Sequence, residues 1–321
     1  MRIIVKKKDH ANPGSHAVIM KEVLVMIDLK PWGELNCQEL AKADAAVMGI
    51  PFDGAVSCGK GSSLAPENIR SLSRYLPAVT EEGLEISDFC VYDHGDVPVS
   101  LDWPAYYAAV EKEALELFKS GKFCLFFGGD HSVTIPLSRA YGNYFKGKKI
   151  GIIHFDSHPD LCDEYDGHKW SHACPLRRAV QDVITPGDLA QVGIRSYESE
   201  EVAFYKANPD LLLIRAYDVF TIGWQAVCDK LCAKFKDYDA VYISLDIDVL
   251  DPAFAPGTGT PEAGGLSSRE LMEIIKFLMV KLPVAAMDLV EVSPPLDSVN
   301  SITSWAALKI VYEVFGKLSQ K

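Results

Sequence analysis

The sequence has no CxxC pair among its eight cysteines, no apolar stretch long enough to cross a bilayer, and no excess of basic residues. Each lack excludes something. Without paired-cysteine spacing a thiolate-bound structural zinc is not expected, and the cysteines inside apolar runs read as small hydrophobes. The basic start, MRIIVKKKDH, is followed by no long apolar segment, so neither a secretory signal nor a membrane span is expected. The cysteines then suit a reducing cytoplasm. A net charge of -12 argues against nucleic acid and anionic membrane as partners, because both need basic patches, and it favours a cationic small molecule. No repeat, low-complexity tract or linker interrupts the chain. With 48% hydrophobic and 24% charged residues, the 321-residue chain reads as a single domain. Residues 1–40 fit that domain less well and are expected to form an N-terminal arm, packed on it or on a neighbouring subunit.

What is present is alternation. Nearly continuous apolar runs occupy residues 45–50, 89–92, 123–127, 150–155, 190–194, 211–214, 240–245 and 284–290. Unbroken apolarity is how strands covered on both faces read. Helical patterns lie between them at 66–75, 104–118, 198–206, 224–235, 267–282 and 301–317. Pro66 suits a first helical turn, and Ser267 with Glu270 fits a capping box. Strands alternating with helices predict an α/β domain around a mostly parallel sheet.

The polar residues that follow the strands carry the chemistry. GGDHS brings Asp130 and His131, DSHPD brings Asp156, His158 and Asp160, DID brings Asp246 and Asp248, and the last run ends at Glu291. Ligands of open α/β sheets bind outside the carboxyl ends of the strands, so four strands deliver acids and imidazoles to one edge. On an extended backbone Asp156, His158 and Asp160 share a face, as do Asp246 and Asp248. Such a cluster repels itself unless cations or protons offset its charge, and two divalent ions do so directly. Carboxylates with a few imidazoles suit manganese-like ions. Taken singly, each motif has a plainer reading: DID as a turn, GGDHS as a glycine turn with a core imidazole, His172 as an exposed loop histidine with His168 its rival. His154, inside a run, reads as a hydrogen-bonded core residue.

At these residues the chain resembles the ureohydrolase family of arginases and agmatinases. The likeness rests on GIPFD at 49–53, HGDV at 94–97, GGDHS, DSHPD, QVGIRS at 191–196 and SLDIDVLDPAFAPGTGTPEAGGL at 244–266. The APGTGTPE portion is more similar to the agmatinase branch. The resemblance implies a three-layer α/β/α fold with an eight-stranded parallel sheet, two manganese ions per chain, and a homo-oligomer, trimeric or hexameric. It implies that Asp156 and Asp246 bridge the ions, that His131 and Asp160 complete one shell, and that His158 and Asp248 complete the other. It implies that Asp160 orients the attacking water, Glu291 holds a guanidinium, and His172 moves a proton. The expected reaction is hydrolysis of a guanidino C–N bond with release of urea, agmatine to putrescine first. Guanidinobutyrate, arginine, a formiminoglutamase-like or one-metal hydrolase, or a non-catalytic metal-stabilised protein are the alternatives. Ser157 stands where the family usually has alanine, and CGKGSSLAPENIR departs from its usual pattern, which leaves the substrate tail open.

Overall fold

The computed structural model describes residues 30–321. Among them nine strands form one sheet: β1 (Asn36–Cys37), β2 (Ala45–Gly49), β3 (Val91–Asp96), β4 (Phe123–Phe127), β5 (Ile150–Phe155), β6 (Leu189–Ile194), β7 (Leu212–Arg215), β8 (Ala240–Asp246) and β9 (Val284–Val290). Their order is β1-β3-β2-β4-β9-β8-β5-β6-β7, and all pairs are parallel. The helices are α1 (Ala65–Ser73), α2 (Trp103–Lys119), α3 (Thr134–Tyr144), α4 (Pro175–Asp182), α5 (Ser199–Ala207), α6 (Ala216–Ile222), α7 (Trp224–Phe235), α8 (Ser268–Lys281) and α9 (Ile302–Leu318).

Strand alternation splits the apolar residues into two cores. On β4, Phe123, Leu125 and Phe127 join the core under α1, α7, α8 and α9, while Cys124 and Phe126 join the one under α2, α3 and α4. Both faces are therefore covered, which explains the unbroken apolar runs and gives the expected three-layer α/β/α fold. The capping box forms as read: Ser267 Oγ accepts from the Glu270 amide at 3.2 Å, and the Glu270 carboxylate accepts from the Ser267 amide at 2.9 Å.

The sheet differs from expectation at one edge. All eight apolar runs become strands, and β1 adds a ninth. It has two half-buried residues, one of them polar, and so leaves no apolar signal. The third strand also sits later than its apolar run and includes Asp93, His94 and Asp96, so the HGDV motif begins inside a strand. Residues 1–29 of the expected arm lie outside the described residues. Trp32, further along, is fully buried and stacks on Phe127 at 5.8 Å between ring centroids. Among the described residues no helix is long and apolar enough to cross a membrane.

Four consecutive strands at the centre of the sheet, β4, β9, β8 and β5, end in the polar motifs. His131, Glu291, Asp246 and Asp156 thus emerge side by side at one edge.

Candidate metal centre

The centre is built around the His131 imidazole. Its Nδ1 lies 2.9 Å from Asp160 Oδ2, 3.1 Å from Asp156 Oδ2 and 3.2 Å from Asp246 Oδ2. Its Nε2 lies 3.0 Å from Ser244 Oγ, and that hydroxyl donates to Asp288 Oδ1 at 2.8 Å. A serine hydroxyl has one proton. Ser244 gives it to Asp288, so it accepts from His131 Nε2–H. The His131 Nδ1 lone pair then faces three carboxylates, buried and without a hydrogen bond. An unpaired acceptor among anions in a dry site is unfavourable by several kcal/mol on the order of the known cost of such groups. A cation removes the conflict, so these donors fit one.

The charges are frustrated throughout the cluster. Burial disfavours a charged His131, yet Asp156 and Asp160 raise its pKa well above the ordinary value. Burial and the negative charges of Asp248 and Asp156 push the Asp246 carboxyl well up. Burial and Asp156 also raise the Asp160 carboxyl above its ordinary value. Such opposed shifts are what divalent ions normally offset.

Beside this group, His158 Nδ1 lies 3.1 Å from Asp248 Oδ2 and 3.5 Å from Asp156 Oδ1. Two sets of side chains can thus each close on an ion: His131, His154, Asp156 and Asp160, and next to them Asp156, His158 and Asp248. Asp156 belongs to both. Asp246 joins the first through its contact with His131, and its Oδ1 accepts from the Asp248 amide at 2.8 Å. The structure therefore brings together all six residues expected as ligands. It does so by turns rather than by an extended backbone: Asp160 has φ 55°, and Asp248 lies in a short 3-10 turn.

Glu291 stands at the rim of the cluster. Its Oε1 accepts from the His131 amide at 2.8 Å, and its own amide donates to the Gly129 carbonyl at 2.8 Å. His172 Nδ1 lies 3.8 Å from that Oε1. The Ser57 amide donates to His172 Nε2 at 3.2 Å, which leaves the ring proton on Nδ1 toward Glu291. His168, the rival, instead packs edge-on against Trp103 at 4.9 Å.

Some contributors left little sequence signal. Arg195 donates to the carbonyls of Asp248, Leu250 and Glu262 and so clasps the loop after β8. The buried Asp130 accepts from the Ala55 amide at 2.8 Å and joins the GIPFD and GGDHS loops. Burial, with Glu291 nearby, pushes its carboxyl up to about 7. Arg195 sits in QVGIRS and Asp130 beside His131, so the motifs marked the place but not the job.

Above the cluster opens a narrow pocket of about 110 Å³. His131, His158, Asp160 and Asp246 form its floor, and Ser57, His172, Tyr165, Tyr197, Glu198 and Glu201 are on its walls. No lysine or arginine is among the described residues that line it. A wider groove at the opposite end of the strands, beside Arg139, Lys146 and Asp182, gathers no such ligand set.

A family model described as the arginase family matches residues 43–316. The chain is 36% identical over 282 residues to an agmatinase of Bacillus subtilis (strain 168), covering 86% of this chain and 92% of that protein. It is 32% identical to a guanidinopropionase of Pseudomonas aeruginosa, covering 87% and 88%. The solved agmatine ureohydrolase of Thermoplasma volcanium superposes with a TM-score of 0.81 at 31% identity, covering 92% of this chain and 96% of that one.

Proposed function

The chain belongs to the arginase family, and on that basis we propose that it converts agmatine and water to putrescine and urea. Its class is that of hydrolases acting on carbon–nitrogen bonds of linear amidines. One observation carries the choice of substrate. Glu198 and Glu201 stand on the pocket walls, and no lysine or arginine is among the described residues beside them; both oxygens of Glu201 already accept from the Leu161 and Glu198 amides, which leaves Glu198 as the acid that meets a cationic tail. Agmatine ends in an ammonium group, which such a wall accepts. Guanidinopropionate and guanidinobutyrate end in carboxylates, which it repels.

Two manganese ions are the cations of this reading, since carboxylates and imidazoles are the donors. His131 and Asp160 would hold one, His158 and Asp248 the other, with Asp156 and Asp246 shared. Divalent ions in such a site lower the pKa of water and stabilise negative charge that develops on the substrate. The chain's own groups do the rest. Glu291 uses Oε1 to hold the His131 amide, which leaves Oε2 to accept from a guanidinium N–H. Asp160 orients the attacking water and carries its proton toward the leaving amine. His172, with its Nδ1 proton facing the site, exchanges protons with the pocket. Tyr217 and Phe220, large and exposed on α6, support an assembled form of the chain. The eight free cysteines support a reducing cytoplasm.

The test is urea release from agmatine, guanidinobutyrate, guanidinopropionate and arginine by manganese-loaded protein. We expect kcat/KM for agmatine to exceed that for guanidinopropionate by about a hundredfold, equivalent to roughly 3 kcal/mol. A preference for a carboxylate tail would contradict the reading.

A further inference from the structure

We propose that His154 is a positioning residue for Asp156, fixed by Gln191 and Tyr205, and not a further ligand to the cations. The inference rests on the reading of Asp156 as a ligand. His154 is fully buried on β5, and its Nε2 lies 2.8 Å from Asp156 Oδ2. It belongs to one of the two sets of side chains that could close on an ion. If its Nε2 carried a lone pair it would be a ligand; if it carries the proton it can only support one. The position of one hydrogen decides.

The neighbouring strand fixes that hydrogen. His154 and Gln191 are register partners on β5 and β6. The Gln191 side-chain nitrogen donates to the Pro159 carbonyl at 2.7 Å. A carbonyl can only accept, so the amide cannot be turned the other way. The other hydrogen of the same NH2 group points to His154 Nδ1 at 2.8 Å. Nδ1 therefore accepts, and the single proton of the neutral ring sits on Nε2. At the far end, the Tyr205 hydroxyl on α5 donates to Gln191 Oε1 at 2.5 Å. The relay runs from Tyr205 through Gln191 and His154 to Asp156, with every donor matched to an acceptor.

The relay sets the angle of the shared carboxylate. Asp156 Oδ2 accepts from His154, and Oδ1 accepts from the His158 amide at 2.6 Å. Rotation about the last bond of Asp156 would break both. Each oxygen keeps a second lone pair, and Oδ2 turns its own toward His131 Nδ1, 3.1 Å away. Hydrogen bonds of this kind to a ligand group typically change metal affinity about 10–100-fold.

The test compares manganese binding at equilibrium in wild type, His154→Leu and His154→Gln. Leucine removes the N–H; glutamine keeps one close to the place of Nε2. We expect His154→Leu to bind manganese about 10–100-fold more weakly while still reaching two ions per chain at saturation, with His154→Gln restoring most of the affinity. Saturation at one ion in both variants would make His154 a ligand and overturn the proposal. Wild-type affinity in His154→Leu would overturn it too. Should His154→Leu not fold, nitrogen-15 NMR of wild-type histidines decides: a proton on His154 Nε2 supports the relay, and one on Nδ1 overturns it. Wild-type protein that takes up no cation would instead sink the reading of Asp156, and this inference with it.

Discussion

Asp160 and Glu291 both hold a positive φ, 55° and 61°. For residues other than glycine this conformation costs on the order of 1 kcal/mol or more, and it persists where surrounding contacts impose it. At Glu291 the imposing contacts are visible: its amide is held by the Gly129 carbonyl, and its carboxylate by the His131 amide. The backbone bend turns the side chain from the end of β9 toward the cluster. Glu291→Gln keeps the size and one acceptor but replaces an anionic oxygen with an NH2 group. We expect two cations to bind as before and kcat/KM for agmatine to fall about 10–100-fold, the worth of one charge-assisted hydrogen bond. Loss of the cations in this variant would place Glu291 among the ligands instead. At this scale the sequence was legible in residue type and less so in geometry. The alternation of Asp156, His158 and Asp160 suggested an extended segment with all three on one face. In the structure a turn with Asp160 in the left-handed region splits them, so that Asp156 and Asp160 face His131 while His158 faces Asp248. A left-handed aspartate leaves no mark in a hydrophobic pattern.

Between elements, the site depends on loops pressed against each other. The Asp130 amide donates to the Phe52 carbonyl at 2.7 Å, and a Cβ on Gly129 would stand 1.9 Å from that same oxygen. The obstacle is backbone and cannot swing aside, so the GGDHS loop can lie against the GIPFD loop only with glycine at that position. Gly129→Ala must therefore part the two loops and draw Asp130 and His131 from their places. We expect a loss of about 2–4 kcal/mol in stability by denaturant unfolding, with weaker cation binding alongside. Unchanged unfolding would show that the loops are not held as described. Strands were the legible elements, because burial on both faces makes their apolar runs continuous. Helices α3, α4 and α6 were not read from the pattern. α3 buries the polar Thr134 and Ser138 together with its apolar residues, so its inner side does not read as an apolar stripe. α4 and α6 span only eight and seven residues, too few for a period to stand out.

In the whole molecule the organising fact is the order β4-β9-β8-β5 at the middle of the sheet. These strands are far apart in sequence, so their adjacency was not legible, although the polar residue at the end of each one was. Parallel pairing puts all four ends on one edge and makes a centre from four loops. The net charge of -12 gives the molecule a field that draws cations, and the carboxylates at the pocket carry the same sign to the site. We propose that this centre holds two cations on His131, Asp156, Asp160, Asp246, His158 and Asp248. This is tested most directly by counting manganese bound per chain at equilibrium, in wild type and in Asp246→Ala. Two ions in the wild type, with binding and urea release lost together in the variant, is the predicted result. A wild type that binds none, or an Asp246→Ala protein that keeps both ions and full activity, would contradict it.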